Sequence, residues 1–177
     1  MDELDLYRDA SGWAEQQVRV AADHPGDPTP CDGWDVSTLL DHMLETQRYF
    51  IGSAKGEDAS PPAPDGPSEH SADPVGDFAR NRQAIIDTFS DPGVRERSGM
   101  ALGIAFGDSL LHGWDLAKAT GQDTTMPAGL AEAAYSTIHG AFTDEQRKGT
   151  FGPEVAAGAD ASAQEKLLAY TGRDPTG

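Results

Sequence analysis

Apolar residues recur every three to four positions along four long segments. No segment alternates convincingly at period two, so the pattern predicts an all-α protein. The first segment runs from about Leu4 to Ala22 and carries Leu6, Ala10, Trp13, Gln17 and Val20 on one stripe. His24-Pro25-Gly26-Asp27-Pro28 ends it, because two prolines and a glycine cannot continue a helix. The second starts at Asp35, a residue type whose carboxylate caps free N–H groups of a first turn. Its stripe is Val36, Leu39, Leu40, Met43 and Phe50, ending near Ile51. Position 38 is Thr, so the reciprocal half of a capping box is missing.

Residues 52–74 hold four prolines before Asp73-Pro74, among Gly, Ser, Ala and acids. This reads as a loop longer than most inside a compact domain. Such a loop suits a crossover that lets two neighbouring bundle helices run parallel. The third helix is expected from Pro74 to Ser90, with Asp73 as cap and Pro74 at the first helical position. Its stripe holds Val75, Phe78, Ala79, Arg82, Ile85, Ile86 and Phe89, and Asp91-Pro92-Gly93 stops it. The fourth spans about Met100 to Thr120, with Gly121 just past its end. One face has Ile104, Asp108, Leu111, His112 and Asp115, and the opposite face has Phe106, Leu110, Trp114 and Ala117. A helix apolar on nearly all sides is a central one, so its few polar residues need explaining. A fifth helix is expected at about Ala128 to Phe142 and a short last one at Ser162 to Thr171, joined by a connector at 149–160. The organisation predicted is one helical domain over 1–177, with a core bundle at about 1–122 and an extension at about 123–177.

Composition narrows the function. The chain has 177 residues, 30 acidic and 13 basic, a formal charge of −17 and an apolar share of 37%. It can bury a core. The acidic balance argues against a nucleic-acid partner and against docking on anionic membrane, but leaves room for a small anionic substrate met by a metal ion. The single cysteine, Cys31, excludes an internal disulfide and a Cys-based structural zinc site. Met1-Asp2-Glu3-Leu4-Asp5 is acidic where a signal peptide needs basic residues. The longest charge-free apolar stretch, Ser98 to Gly107, is about half of a membrane span. A cytoplasmic protein without a membrane partner is expected.

Asp108 and His112 are four apart, so they share one helix face, one turn apart. His42 lies between Leu39 and Met43 and should also point inward. Together these helices could bring two imidazoles and one carboxylate to a point. Three protein ligands with an open position suit a catalytic zinc site, and the same set suits non-haem iron. The competing reading is a hydrogen-bonded core histidine beside a stabilising i, i+4 pair. Asp115, three residues after His112, either orients that imidazole as an outer carboxylate or bonds a neighbouring helix. Glu45, one turn past His42, either lines the same cavity or is a solvated charge. Trp34 and Trp114 read as core packing, and Cys31 as a structural thiol. His24, His70 and His139 show no partner pattern.

Thr29-Pro30-Cys31-Asp32-Gly33-Trp34-Asp35-Val36 with Leu39-Leu40-Asp41-His42 resembles the start of the second helix in the DinB-like, mycothiol-dependent maleylpyruvate isomerase family. Asp108-Ser109-Leu110-Leu111-His112-Gly113-Trp114-Asp115-Leu116-Ala117 resembles that family's H-G-W-D-L-A block. The tail, Phe151-Gly152-Pro153-Glu154 and Leu167 to Pro175, is similar to the end of its single-domain actinobacterial branch. The resemblance implies a four-helix bundle with a long crossover between helices two and three and short C-terminal helices. It implies a divalent metal, zinc first with iron or nickel as alternatives, on His42, Asp108 and His112. Asp108 stands where the family has Glu, and the additional C-terminal domain that the isomerase carries is not expected within these 177 residues. The implied function is a metal-dependent enzyme acting on a small molecule, with mycothiol as cosubstrate and the metal activating a thiolate. The alternatives are a thiol-independent Lewis-acid enzyme of secondary metabolism and a non-catalytic metal- or ligand-binding protein. No catalytic residue beyond the ligands is assigned, and a homodimer is an admissible assembly.

Overall fold

The structure is a computed structural model and describes residues 1–63, 66–67 and 70–175. Residues 64, 65, 68 and 69 of the expected crossover loop, and residues 176 and 177, lie outside the described residues. The chain forms two compact units, Met1–Thr125 and Met126–Gly177. The described residues of the first unit form five helices: α1 (Glu3–Ala21), α2 (Val36–Lys55), α3 (Pro74–Phe89), α4 (Pro92–Ser98) and α5 (Ala101–Ala119). Those of the second form α6 (Leu130–Ile138), α7 (Asp144–Thr150) and α8 (Ala163–Tyr170). Among the described residues no helix is long and apolar enough to cross a membrane.

Helix direction follows from which residues meet. Tyr7 of α1 lies near Asp108 of α5, and further along α1 Trp13 and Ala14 pack on Gly113. The two helices therefore run parallel. Tyr7 also neighbours Gln47, whereas Val18 and Ala21 share a core with Val36 and Leu39, so α2 runs against α1. On α3, Phe78 joins that same core, and Arg82 donates to Ser11 Oγ and to the Arg8 carbonyl, both at 3.0 Å. Arg95 of α4 then lies near Asp2 and Glu3. The third helix descends along α1 and is parallel to α2, as the long crossover requires. The loop returns to the second turn of α2, where Asp41 accepts from the Ser71 N–H at 2.7 Å and lies 2.6 Å from His70 Nδ1. His70 thus has a partner that its sequence context did not announce, because the partner comes from another helix.

The core of this unit is Ala14, Val18, Ala21, Val36, Leu39, Leu40, Met43, Leu44, Phe78 and Leu116. Fully burying a side chain of the Val, Leu or Phe type is worth about 1.5–3 kcal/mol each. The buried face of α1 differs from the expected stripe: it runs through Leu4, Tyr7, Ser11, Ala14, Val18 and Ala21, and Val20 is 41% exposed. Ala10 and Gln17 sit where both phasings overlap. Trp34 is also less interior than expected, being half-buried, while Trp114 is buried as core. On α5 the close approach to α1 depends on Gly113, where a Cβ would lie 2.9 Å from the Trp13 ring. Gly121, with φ +67°, takes the left-handed position that ends the helix.

Two short helices were not expected. Asp91 caps α4 by accepting from Gly93 N–H at 2.7 Å, with Pro92 in its first turn. Asp91-Pro92-Gly93 therefore starts a helix as well as ending one. Thr143 and Gln146 form a reciprocal capping box at the start of α7. The fifth expected helix is shorter, Leu130–Ile138. In this second unit the Tyr135 and Tyr170 rings meet edge-on at 5.8 Å, and the Arg147 guanidinium lies 4.0 Å over Tyr170. His139 stacks against both tyrosines, at 4.7 and 5.0 Å.

Candidate metal centre

The Asp35 carboxylate accepts from both the backbone N–H and the hydroxyl of Thr38, each at 2.8 Å. This starts α2, on whose second turn His42 sits. The segment before it is pinned by Thr29, whose N–H and hydroxyl both donate to the Trp34 carbonyl at 3.1 and 2.8 Å. That turn lays the Trp34 ring 4.8 Å from the His42 imidazole. On α5, helical spacing puts Asp108, His112 and Asp115 on the face turned to α2.

His42, Asp108 and His112 come together. Asp108 Oδ1 is 4.0 Å from His42 Nε2 and 3.5 Å from His112 Nε2, and the two imidazoles meet edge-on at 5.1 Å. Their side chains are 16%, 21% and 13% exposed. Ligand bonds of about 2.0–2.1 Å in a tetrahedron leave ligand atoms about 3.4 Å apart. One separation has that value and the other is wider by about half an ångström, so the donor set fits a divalent ion. His42 Nδ1 is buried without a hydrogen-bond partner among the described residues, which disfavours a purely structural, fully bonded core histidine.

Asp115 is wholly buried, and its Oδ2 accepts from His112 Nδ1 at 2.9 Å. That bond leaves Nε2 turned to Asp108 and His42, the arrangement in which an outer carboxylate orients a ligating imidazole. The Cys31 thiol donates to the same Asp115 oxygen at 3.4 Å. Cys31, His112 and Asp115 thereby form a second group whose ligand atoms lie within 4.8 Å of one another. Glu45 is directed elsewhere: it lines a groove with Arg48, Tyr49 and residues 59–63. Sequence reasoning missed Cys31 because its partners lie more than eighty residues away, on α5. It also missed Tyr7, whose buried hydroxyl has no hydrogen-bond partner among the described residues, like both amide atoms of Gln47. The signal for Tyr7 was present in the Leu4, Tyr7, Ser11, Ala14 phasing of α1.

The two histidines differ electrostatically. Burial, reinforced by the neighbouring His112 charge, pushes His42 down to about 3, against the pull of Asp115. Burial also acts downward on His112, but the Asp108 charge and the Asp115 hydrogen bond outweigh it and raise the imidazole to about 10. Without a metal, His42 is neutral and His112 carries a positive charge beside Asp108 and Asp115. Burial holds the Tyr7 hydroxyl protonated.

Two imidazoles and a carboxylate thus converge from α2 and α5 of a helical bundle, a donor set that could hold a metal ion. Residues 9–117 match the model of the mycothiol maleylpyruvate isomerase N-terminal domain, and the chain belongs to that family. Two uncharacterised proteins of Mycobacterium tuberculosis, from strains CDC 1551 / Oshkosh and ATCC 25618 / H37Rv, are each 28% identical over 181 residues, covering 98% of both chains. No solved structure gives a significant match.

Proposed function

We propose that the chain is a metal-dependent enzyme acting on a small molecule, with His42, Asp108 and His112 as ligands and a mycothiol-type thiol as cosubstrate, in an S-transfer or isomerisation reaction. The observation that carries this reading is the convergence of those three side chains from α2 and α5. Family membership supports the thiol. A divalent ion, zinc in this reading with iron or nickel as alternatives, would supply Lewis acidity that keeps a thiol deprotonated at neutral pH. Asp115 holds the His112 ring through Nδ1 and so presents Nε2. Trp34 covers His42 and restricts water. Tyr7 and Gln47 place unpartnered hydrogen-bonding groups in the same interior, where an oxygen of the electrophilic substrate would find them.

The test is elemental analysis of protein purified without a histidine tag, followed by electrophile consumption with and without thiol and metal. The expected result is one ion per chain and turnover only with both present. Turnover with metal alone would replace the thiol reaction by thiol-independent Lewis-acid catalysis. Metal without turnover on a broad electrophile panel would favour a binding protein. His42→Ala, Asp108→Ala and His112→Ala should each lose the ion, while Asp108→Glu should keep it. Unchanged metal content in Asp108→Ala would overturn the ligand set.

A further inference from the structure

The His112 imidazole has a carboxylate at each nitrogen. Asp108 Oδ1 lies 3.5 Å from Nε2, and Asp115 Oδ2 lies 2.9 Å from Nδ1. Beyond each carboxylate stands one more donor of different chemistry. On the Nε2 side it is the His42 imidazole, 4.0 Å from Asp108. On the Nδ1 side it is the Cys31 thiol, 3.4 Å from Asp115. The arrangement is near-symmetric about the ring: an ion on either nitrogen leaves the other N–H facing a carboxylate, the outer contact that ligating histidines use.

We propose that Cys31 Sγ, Asp115 Oδ2 and His112 Nδ1 form a second metal position, for a thiophilic ion, that alternates with the His42–Asp108–His112 position across the same imidazole. Bonds of about 2.0–2.3 Å to nitrogen, oxygen and sulfur leave ligand atoms about 3.0–3.6 Å apart for angles between right and tetrahedral. The observed 2.9 and 3.4 Å are close to that range. Thiolate holds soft ions such as Cd2+ most firmly, whereas an imidazole–carboxylate set takes borderline and harder ones and zinc can use either, so a soft ion favours the Cys31 side. On binding, the thiol proton and the Nδ1 proton are released to solvent, and the Nε2 N–H stays facing Asp108. One ion occupies the ring at a time, because each position uses the opposite N–H as its outer bond. Cys31 and His112 are half-buried and Asp115 is buried, so the position is shielded yet open to an ion through Cys31.

Cd2+ alone is a sufficient probe, since Cys31 is the chain's one cysteine. Titrating the metal-free, full-length protein should give a thiolate-to-cadmium charge-transfer band that levels off at one ion per chain. In the same unaltered protein Cd2+ should protect Cys31 from a thiol-alkylating reagent, and Mg2+ should not. Cys31→Ser should abolish the band and weaken Cd2+ by more than the about tenfold to hundredfold that loss of an outer contact costs, while still binding Zn2+. His42→Ala should keep the band, with helical circular dichroism confirming that each variant is folded. Absence of the band in the unaltered protein would overturn the second position. So would a band that disappears in folded His42→Ala, because Cys31 would then be reaching into the first site. Failure of the catalytic reading leaves these outcomes unchanged, since none of them uses turnover.

Discussion

Two layers of the same bundle obey opposite accounting. Around Val18, Val36, Leu39, Phe78 and Leu116 the interior is apolar and closed, and each side chain gains free energy by leaving water. Around Tyr7, His42, Gln47 and Asp108 the interior holds ionisable and polar groups. The Tyr7 hydroxyl, His42 Nδ1 and both Gln47 amide atoms are buried without hydrogen-bond partners among the described residues. Each such group costs about 1–3 kcal/mol in a folded protein. The first layer holds the bundle together; the second is held in place by it. The difference teaches where to look for function, because a ligand that met those groups would offset the polar layer's cost.

The sharpest way to break that contrast is to damage the apolar layer and watch the other. Phe78→Ala should lose about 3–5 kcal/mol in denaturant unfolding, with metal content per folded chain unchanged. Loss of metal at a temperature where the variant is still folded would mean that the layers are not separable. A change confined to the polar layer should do the reverse. Asp115→Asn should weaken Zn2+ by about tenfold to hundredfold in competition with a chromophoric chelator. An unchanged affinity would reduce Asp115 to a packing role.

Proton competition sharpens the comparison further. Asp108 and Asp115 raise His112 to about 10 against the effect of burial, so at neutral pH an incoming ion must displace one proton. Affinity should then fall about tenfold for each pH unit lowered below about 10, until other groups also take up protons. His42, pushed down to about 3, adds nothing to that slope near neutrality. Calorimetry in buffers of different ionisation enthalpy would count the released proton. The smallest effect is expected at the helix start: Asp35→Ala removes the cap on Thr38 and should cost about 1 kcal/mol, with metal content unchanged. A loss of metal there would show that the cap also sets the His42 rotation.

Much of this was legible along the chain because it is local. Asp35 and Asp73 cap where their residue types say they should, and Asp108 and His112 share a face by helical arithmetic alone. Local signals also misled. Asp73-Pro74 and Asp91-Pro92 are the same dipeptide at helix starts, yet the second also follows a helix and so read only as a stop. On α1, Ala10 and Gln17 fit two phasings, and only packing against α2 and α5 chooses the one that buries Val18 over Val20. Asp115 was legible from its place three residues after His112 on the same helix, and Tyr7 only through the α1 phasing, whereas Cys31 carries no local mark, since its partner is brought near by α5. Glu45 shows the converse: one turn from His42, it lines a groove with Arg48, Tyr49 and residues 59–63.

The order of helices along the chain has a consequence for biosynthesis. His42 is made early, on α2, and waits through the crossover loop, α3 and α4 before Asp108 and His112 follow on α5. A nascent chain that has not yet emerged past His112 has one imidazole of the set and no shared pocket. The centre is therefore completed only by the last helix of the bundle. On the proposed ligand set, a partly synthesised or truncated chain would compete poorly for scarce metal, and the ion would go to chains that carry α5.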